Sequence, residues 1–268
     1  MIVDFHSHTR ASDGSLAPQA LSDFMRKRGV RIFAVTDHDT LAAYGQFEAP
    51  GGSTVVTGIE INTSYHENEV HLLGYRLPLD GGPLEAVLAR NRAARRTRIG
   101  RTVEQLQAAG YPIAMSDVEA EAEGAESLGR PHVGKALIRR GMVRDIETAF
   151  RLLLRRGTPG YVPSSHITPQ AAIEAIQAAG GIAVLAHPGR LHDYEIVDEL
   201  AEHGLDGLEV FYPTHERGAV QHFRDKAARF GLLMSGGSDF HDIRYHTRGV
   251  GMEIEEADIR PFLDRVAG

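Results

Sequence analysis

Histidines and carboxylates recur beside short apolar runs throughout this chain. His6 and His8 follow Ile2, Val3 and Phe5, Asp13 sits in Ser12-Asp13-Gly14, and His38 lies in Thr36-Asp37-His38-Asp39 after the run 32–35. Glu60 follows Gly58-Ile59, and His71 sits in Val70-His71-Leu72-Leu73. His187 belongs to Ala186-His187-Pro188-Gly189-Arg190, and Asp239 and His241 to Gly237-Ser238-Asp239-Phe240-His241. Imidazoles and carboxylates gathered at strand ends are the donors that borderline-hard divalent cations take. His6 and His8 are two apart, as are Asp239 and His241, so on extended backbone each pair points to one face. A single His-x-His arises by chance, and a structural role explains any one histidine. Six of the 14 histidines and three acids in the same setting make a metal cluster the better reading of the joint pattern.

The elements that must position these residues can be read from periodicity. Residues 2–5, 32–35, 54–61, 70–75, 182–185, 207–211 and 232–234 read as strands. Between them, Ala20, Leu21, Phe24 and Met25 form a helical stripe ending near Gly29, with Ser15 as N-cap and Pro18 in the first turn. A short helical piece is expected around 41–47, and helices over 169–179, 194–203, 220–230 and 257–266. Strands separated by helices imply a parallel sheet with right-handed crossovers. About seven such strands, with candidate ligands at their C-terminal ends, point to an α/β barrel whose active face is that end.

Residues 84–160 differ: they carry helix-like patterns and no convincing strand, and read as a helical insertion placed as a lid. The barrel then comprises 1–83 and 161–268. Arg90, Arg92, Arg95, Arg96, Arg98 and Arg101 fall in this segment, and a solvated helix face is the ordinary explanation of such a charge run. A substrate-facing minority among them is the alternative.

Bulk properties narrow the classes. With 268 residues, 42% hydrophobic and 24% charged, the chain fits a soluble domain with a full core. A net charge of -7 argues against a track for long nucleic acid, as does the absence of tryptophan. Zero cysteines exclude disulfides and thiolate ligation and suit a reducing compartment. The N-terminus shows no export signal and no apolar stretch spans a bilayer, so a cytoplasmic protein with no membrane partner is expected.

The motifs together resemble those of the PHP family, named for polymerase and histidinol phosphatase domains, within the wider amidohydrolase-like group. The match spans nearly all of the chain outside the insertion. The resemblance implies a distorted (β/α)7 barrel holding two or three divalent metal ions, manganese first, with zinc or iron as alternatives. It implies that His6, His8, Glu60 and Asp239 bind one metal, that Glu60 bridges to a second completed by His71 and His187, and that Asp13, His38 and His241 hold a third. Some relatives have His where this chain has Asp13, and an oxygen ligand there either weakens the third site or favours manganese over zinc. His187 has a competing reading as a proton donor. Asp37 and Asp39, flanking His38, read as supports of its ring or as loop caps. His66, His166, His192, His203, His215, His222 and His246 have no pattern that sets them apart.

An open site of two or three metals hydrolyses esters or amides through a metal-bound hydroxide. Arg130 in Gly129-Arg130-Pro131-His132 and Arg190 after His187 favour a phosphorylated substrate, because a guanidinium gives a phosphate two parallel hydrogen bonds. The plainer reading pairs each arginine with a surface acid. His132 is a candidate proton donor to a sugar alkoxide or a substrate contact, with packing as its alternative. These pieces, with Thr158-Pro159-Gly160-Tyr161-Val162, resemble stand-alone PHP phosphoesterases. That resemblance implies removal of the 3′-phosphate from 3′,5′-nucleoside bisphosphates such as pAp. Trimming of short RNA from the 5′ end and histidinol phosphate hydrolysis are the competing activities. A regulatory domain without activity is disfavoured, since all nine candidate ligands are kept.

Overall fold

The apolar runs form the strands of one sheet, and helices cover it. The structure is a computed structural model and describes every residue except 67, 81, 165, 245–248 and 268. Strand β1 (Ile2–Asp4) leads to helix α1 (Pro18–Lys27) and β2 (Ile32–Val35). Pro18 opens α1 with Ala17 at the N-cap position, so Ser15 is not the cap. The Ser15 amide instead donates to the His241 carbonyl at 2.7 Å, which ties this loop to the site. Strands β3 (Thr54–Tyr65) and β4 (Asn68–Tyr75) follow without a helix between them.

The next segment is helical: α2 (Glu85–Ala108), α3 (Met115–Ala122), α4 (Arg130–Arg139), α5 (Ile146–Ala149) and a π-helical turn over Phe150–Leu154. Its apolar side chains, among them Ile99, Leu106, Val118, Val133, Leu137 and Leu153, make a core of their own. The lower end of α2 belongs elsewhere: Leu84 and Leu88 pack with Leu77, Ile173 and Ile176 in the barrel's core.

The α/β alternation then resumes with α6 (Pro169–Ala178), β5 (Ile182–Leu185), α7 (Glu195–Glu202), β6 (Gly207–Phe211), α8 (Arg217–Phe230), β7 (Leu233–Gly236), β8 (Met252–Glu253) and α9 (Glu256–Ala267). The sheet order is β7-β6-β5-β4-β3-β2-β1-β8. The ring nearly closes where the Phe5 amide donates to the Gly236 carbonyl at 3.1 Å and Ser7 pairs in parallel with Phe240. This is the distorted α/β barrel expected, with one correction to its sheet. β4 runs antiparallel to both β3 and β5, and β8 antiparallel to β1. The cause is local: β3 and β4 form a hairpin, and no crossover intervenes to restore the direction. Among the described residues, no helix is long and apolar enough to cross a membrane.

Candidate metal centre

All nine predicted ligands meet at one end of the barrel. His6 and His8 follow β1, His38 follows β2, Glu60 lies within β3, His187 follows β5, and Asp239 and His241 follow β7. His71 sits near the beginning of β4, opposite Asn62. Because β4 is reversed, its start reaches the rim that the other strands reach with their ends. Glu60 is 1% exposed and His6 and His8 not at all.

The approach of the 237–241 loop to β1 is close. A Cβ on Gly237 would stand 2.4 Å from the His6 Cβ, so only glycine fits there. The buried Asp4 carboxylate locks the same junction, accepting from the Ser238 amide at 2.8 Å and its hydroxyl at 2.7 Å. Asp39, His187 and Asp239 all have positive φ, at 54°, 30° and 52°. Non-glycine residues are held there only when their surroundings compel it, and such strain gathers at functional sites.

The donor atoms are spaced as ligands of shared ions. His6 Nε2 lies 3.3 Å from Glu60 Oε2 and 3.3 Å from Asp239 Oδ1, and His8 Nε2 lies 3.1 and 3.2 Å from the same two oxygens. Two donors each about 2.1 Å from one cation, at 90–109°, stand roughly 3.0–3.4 Å apart. On the other side of Glu60, His71 Nδ1 and His187 Nε2 approach Oε1 at 2.8 and 3.1 Å. Asp13 meets His241 Nε2 at 3.3 Å and His38 Nε2 at 3.7 Å. His38 also puts Nδ1 3.1 Å from Glu60 Oε2, so its ring lies between two groups of donors. Compact sets form from His6, His8, Glu60 and Asp239, from His8, Asp13, His38 and His241, and from His38, Glu60 and His71.

Charge balance points the same way. Glu60, Asp239, Asp13 and Glu209 are four buried carboxylates, and buried negative charge needs compensation. The carboxylates act on two of the rings: burial would depress His8, yet Asp239 and Glu60 push it up to about 10, and His6 is raised by Glu209, Glu60 and Asp239, whereas burial lowers His38 and His187. Buried atoms His6 Nε2, His8 Nε2, His38 Nδ1 and Glu60 Oε2 have no hydrogen-bond partner among the described residues. The donor set therefore fits divalent metal ions.

Facing this cluster across a cleft of about 310 Å³ is a wall of arginines. Arg130 and Arg190 line it, as expected, and so do Arg95 and Arg98. The last two correct the reading of a wholly solvated helix face: they are 6% and 7% exposed. They lie on the stripe Leu88, Asn91, Arg95, Arg98, Ile99 and Thr102, which α2 turns inward. Arg95 Nε donates to Asp39 at 2.7 Å, and Arg95 also pairs with the Asn62 side chain. Glu69 ties Arg98 to Arg130, the second pairing being 2.5 Å. Burial works to raise the Glu69 carboxyl, but Arg130 and Arg98 outweigh it and hold it well below the usual carboxylate range. Arg190 Nη1 stands 3.4 Å from Asp239 Oδ2 and 3.4 Å from the Tyr212 hydroxyl.

His132 is placed differently from the expectation. It is 2% exposed and does not line the cleft. At the third position of α4, its Nδ1 accepts the Gly129 amide at 3.0 Å, capping the helix. Burial lowers it to about 4, so the ring is neutral near pH 7. Asp37 likewise proves a loop cap, accepting from Thr9 and Ser12, and His246 lies outside the described residues.

Two functional neighbours have no clear mark in the sequence. Glu209 Oε1 lies 3.0 Å from His6 Nδ1 and its Oε2 accepts the His187 amide at 2.7 Å, so it orients one candidate ligand and anchors the backbone of another. A lone acid inside Gly207-Leu208-Glu209-Val210-Phe211 is the one available signal. The Tyr212 hydroxyl donates to Asp239 Oδ2 at 2.8 Å, and nothing in its periodicity marks it.

No family model matches the chain. Individual relatives do. It is 34% identical over 258 residues to a 3′,5′-nucleoside bisphosphate phosphatase of Chromobacterium violaceum, covering 93% of this chain and 90% of that protein. It is 33% identical over 251 residues to a 5′-3′ exoribonuclease of Escherichia coli, covering 90% of this chain and 85% of the relative. A solved structure from Bifidobacterium adolescentis, assigned as a metal-dependent phosphoesterase, superposes with a TM-score of 0.85 at 32% identity, over 98% of this chain and 95% of the other. The chain belongs to the PHP family of metal-dependent phosphoesterases. This PHP phosphoesterase is thus a hydrolase of phosphoric esters, and its His/Asp/Glu cluster is of the kind that takes divalent metals.

Proposed function

We propose that the protein removes the 3′-phosphate from 3′,5′-nucleoside bisphosphates such as pAp, giving 5′-AMP and phosphate. One observation carries this reading: a carboxylate–imidazole cluster and a four-arginine wall face each other across a single cleft. His6, His8, Glu60 and Asp239 would hold one ion. Glu60 with His71 and His187 would hold a second, and Asp13, His38 and His241 a third, with His8 beside it. Three carboxylates among the nine donors, one of them Asp13 at the third ion, and the absence of thiolate favour manganese. When bound, the ions supply an activated water and offset the charge that develops on the scissile phosphate.

The side chains do the rest. Arg190, next to Asp239, would orient the phosphate that reacts. Arg130 and Arg98 stand farther along the wall, where charge-assisted hydrogen bonds hold the 5′-phosphate that does not. Asp39 and Asn62 fix the Arg95 guanidinium so that it faces the cleft already oriented. We read 84–160 as the lid that carries three of these arginines over the barrel. His132 has no part in proton transfer here.

Holding both phosphates uses remote binding energy to position the reacting group. With manganese-loaded protein, pAp should therefore be hydrolysed at least about tenfold more efficiently than 3′-AMP, 5′-AMP or histidinol phosphate. Equal specificity constants would leave an unselective phosphomonoesterase and overturn the two-phosphate reading.

A further inference from the structure

Glu69 is an anion set in a wall of cations. It is the second residue of β4 and lies two before His71, so the two side chains leave the same face of the strand. Its Oε1 pairs with Arg98 and its Oε2 with Arg130, the latter at 2.5 Å, and all three residues line the cleft. Arg130 and Arg98 hold the carboxyl far below its usual range, so it is ionised near pH 7.

Neither guanidinium depends on Glu69 alone for its place. Arg98 Nε donates to the Val162 carbonyl at 2.8 Å, and Arg130 opens α4 with its guanidinium 5.8 Å from the centre of the Phe150 ring. Arg98 Nη2 is buried and has no hydrogen-bond partner among the described residues, so one donor of the pair is left over. A phosphate that takes up these donors meets the Glu69 charge beside it, and like charges brought together in one site oppose binding. In a wall that only had to bind, Glu69 would be a liability.

An enzyme must also let go. 5′-AMP keeps the 5′-phosphate of pAp, so contacts to that group persist in the product. Whatever part of their strength is the same throughout lowers KM without speeding the reaction, and it delays release. Resting on the two-phosphate reading above, we infer that Glu69 is a built-in competitor for the 5′-phosphate. Its carboxylate holds Arg98 and Arg130 in the free enzyme, yields them to the incoming phosphate and takes them back as 5′-AMP leaves. The residue sets how tightly substrate and product are held, and leaves the choice of bond to the cluster.

Glu69→Gln keeps the shape of the side chain and removes its charge, whereas Glu69→Asp keeps the charge. With manganese-loaded full-length protein, calorimetric titration with 5′-AMP should show Kd falling at least about fivefold in Glu69→Gln and not falling in Glu69→Asp. The KM for pAp should fall as well, kcat should not rise, and 5′-AMP should inhibit more strongly. Adenosine, which has no phosphate, should bind wild type and Glu69→Gln alike. An unchanged or higher Kd for 5′-AMP in Glu69→Gln would overturn the inference and leave Glu69 as a clamp for the two guanidiniums. A gain shared by adenosine or by Glu69→Asp would overturn it too, since charge would not be the cause. In either case a wild-type preference for pAp over 3′-AMP spares the two-phosphate reading. Without that preference the reading falls and the inference with it.

Discussion

The two walls of the cleft are built by different means. The cluster wall is made of strand ends: Glu60 within β3 and the residues just past β1, β2, β5 and β7 converge because the barrel converges. The arginine wall is made of a helix and its neighbours, and each guanidinium is placed by another side chain, Arg95 by Asp39 and Asn62, Arg98 and Arg130 by Glu69. The histidine–carboxylate cluster is thus anchored in the part of the fold with the least freedom, and the arginine wall in a part that is adjustable residue by residue.

Substitutions should separate the walls. The largest effect is expected at Glu60, whose two oxygens face donors on both sides. Glu60→Gln should lose more metal than Asp13→Asn and lower activity on the order of a thousandfold, since metal ions supply several kcal/mol to such reactions. Elemental analysis alongside kinetics checks it, and equal single-metal losses in the two variants would break the bridging assignment. On the other wall, Arg98→Ala should keep its metals and lose roughly tenfold to a hundredfold in kcat/KM for pAp, from a bond to a charged group worth about 1.5–3 kcal/mol. Because Arg98→Ala also strips Glu69 of one partner, adding Glu69→Gln should restore part of the loss. A fall in metal content in Arg98→Ala would show the walls to be coupled.

The contrast also explains what is legible in the sequence. Histidines and acids stand out against strand-end apolar runs, so the nine-residue cluster can be read directly. The arginines cannot be sorted by type: Arg95 and Arg98 differ from Arg96 and Arg101 only in helical rotation, and the inward face is set by Asp39 from the loop after β2 and by Asn62 and Glu69 from β3 and β4. His132 looks chemical because of its neighbours, whereas the i to i+3 spacing from Gly129 is that of a helix cap. The reversal of β4 is implied by the missing helix between 61 and 70, a signal outweighed by the alternation elsewhere.

Smaller effects sharpen the picture. Glu209→Gln touches His6 but not the cleft, so metal affinity should weaken roughly tenfold to a hundredfold while pAp affinity of the fully loaded enzyme is kept. Competition with a chelator measures this, and wild-type affinity would leave Glu209 as packing alone. The smallest effect concerns His132. Its folded value, lowered by burial to about 4, lies below the usual 6.5, so the unfolded chain takes up the proton first as pH falls. Stability from this group is complete above about 6.5 and drains away toward pH 4, at up to about 1.4 kcal/mol per pH unit. His132→Gln keeps a capping side chain without the titration. Its melting temperature should therefore fall less than that of the wild type between pH 6.5 and 5, by a few degrees. Parallel curves would show that His132 does not contribute.

One feature of the fold bears on how such a wall changes. Since β4 descends, the chain leaves it at the floor of the barrel, and α2 must climb back to the rim. Its 24 residues give it a rise of roughly 36 Å, with Leu88 rooted in the barrel core below and Arg95 and Arg98 above. Each residue of a helix turns the next by about 100°. Inserting a single residue between Leu88 and Arg95 would therefore swing both guanidiniums away from the cleft while leaving every histidine where it is. The direction in which Arg95 and Arg98 face is thus a matter of helical phase, set by one rod and independent of the histidine cluster.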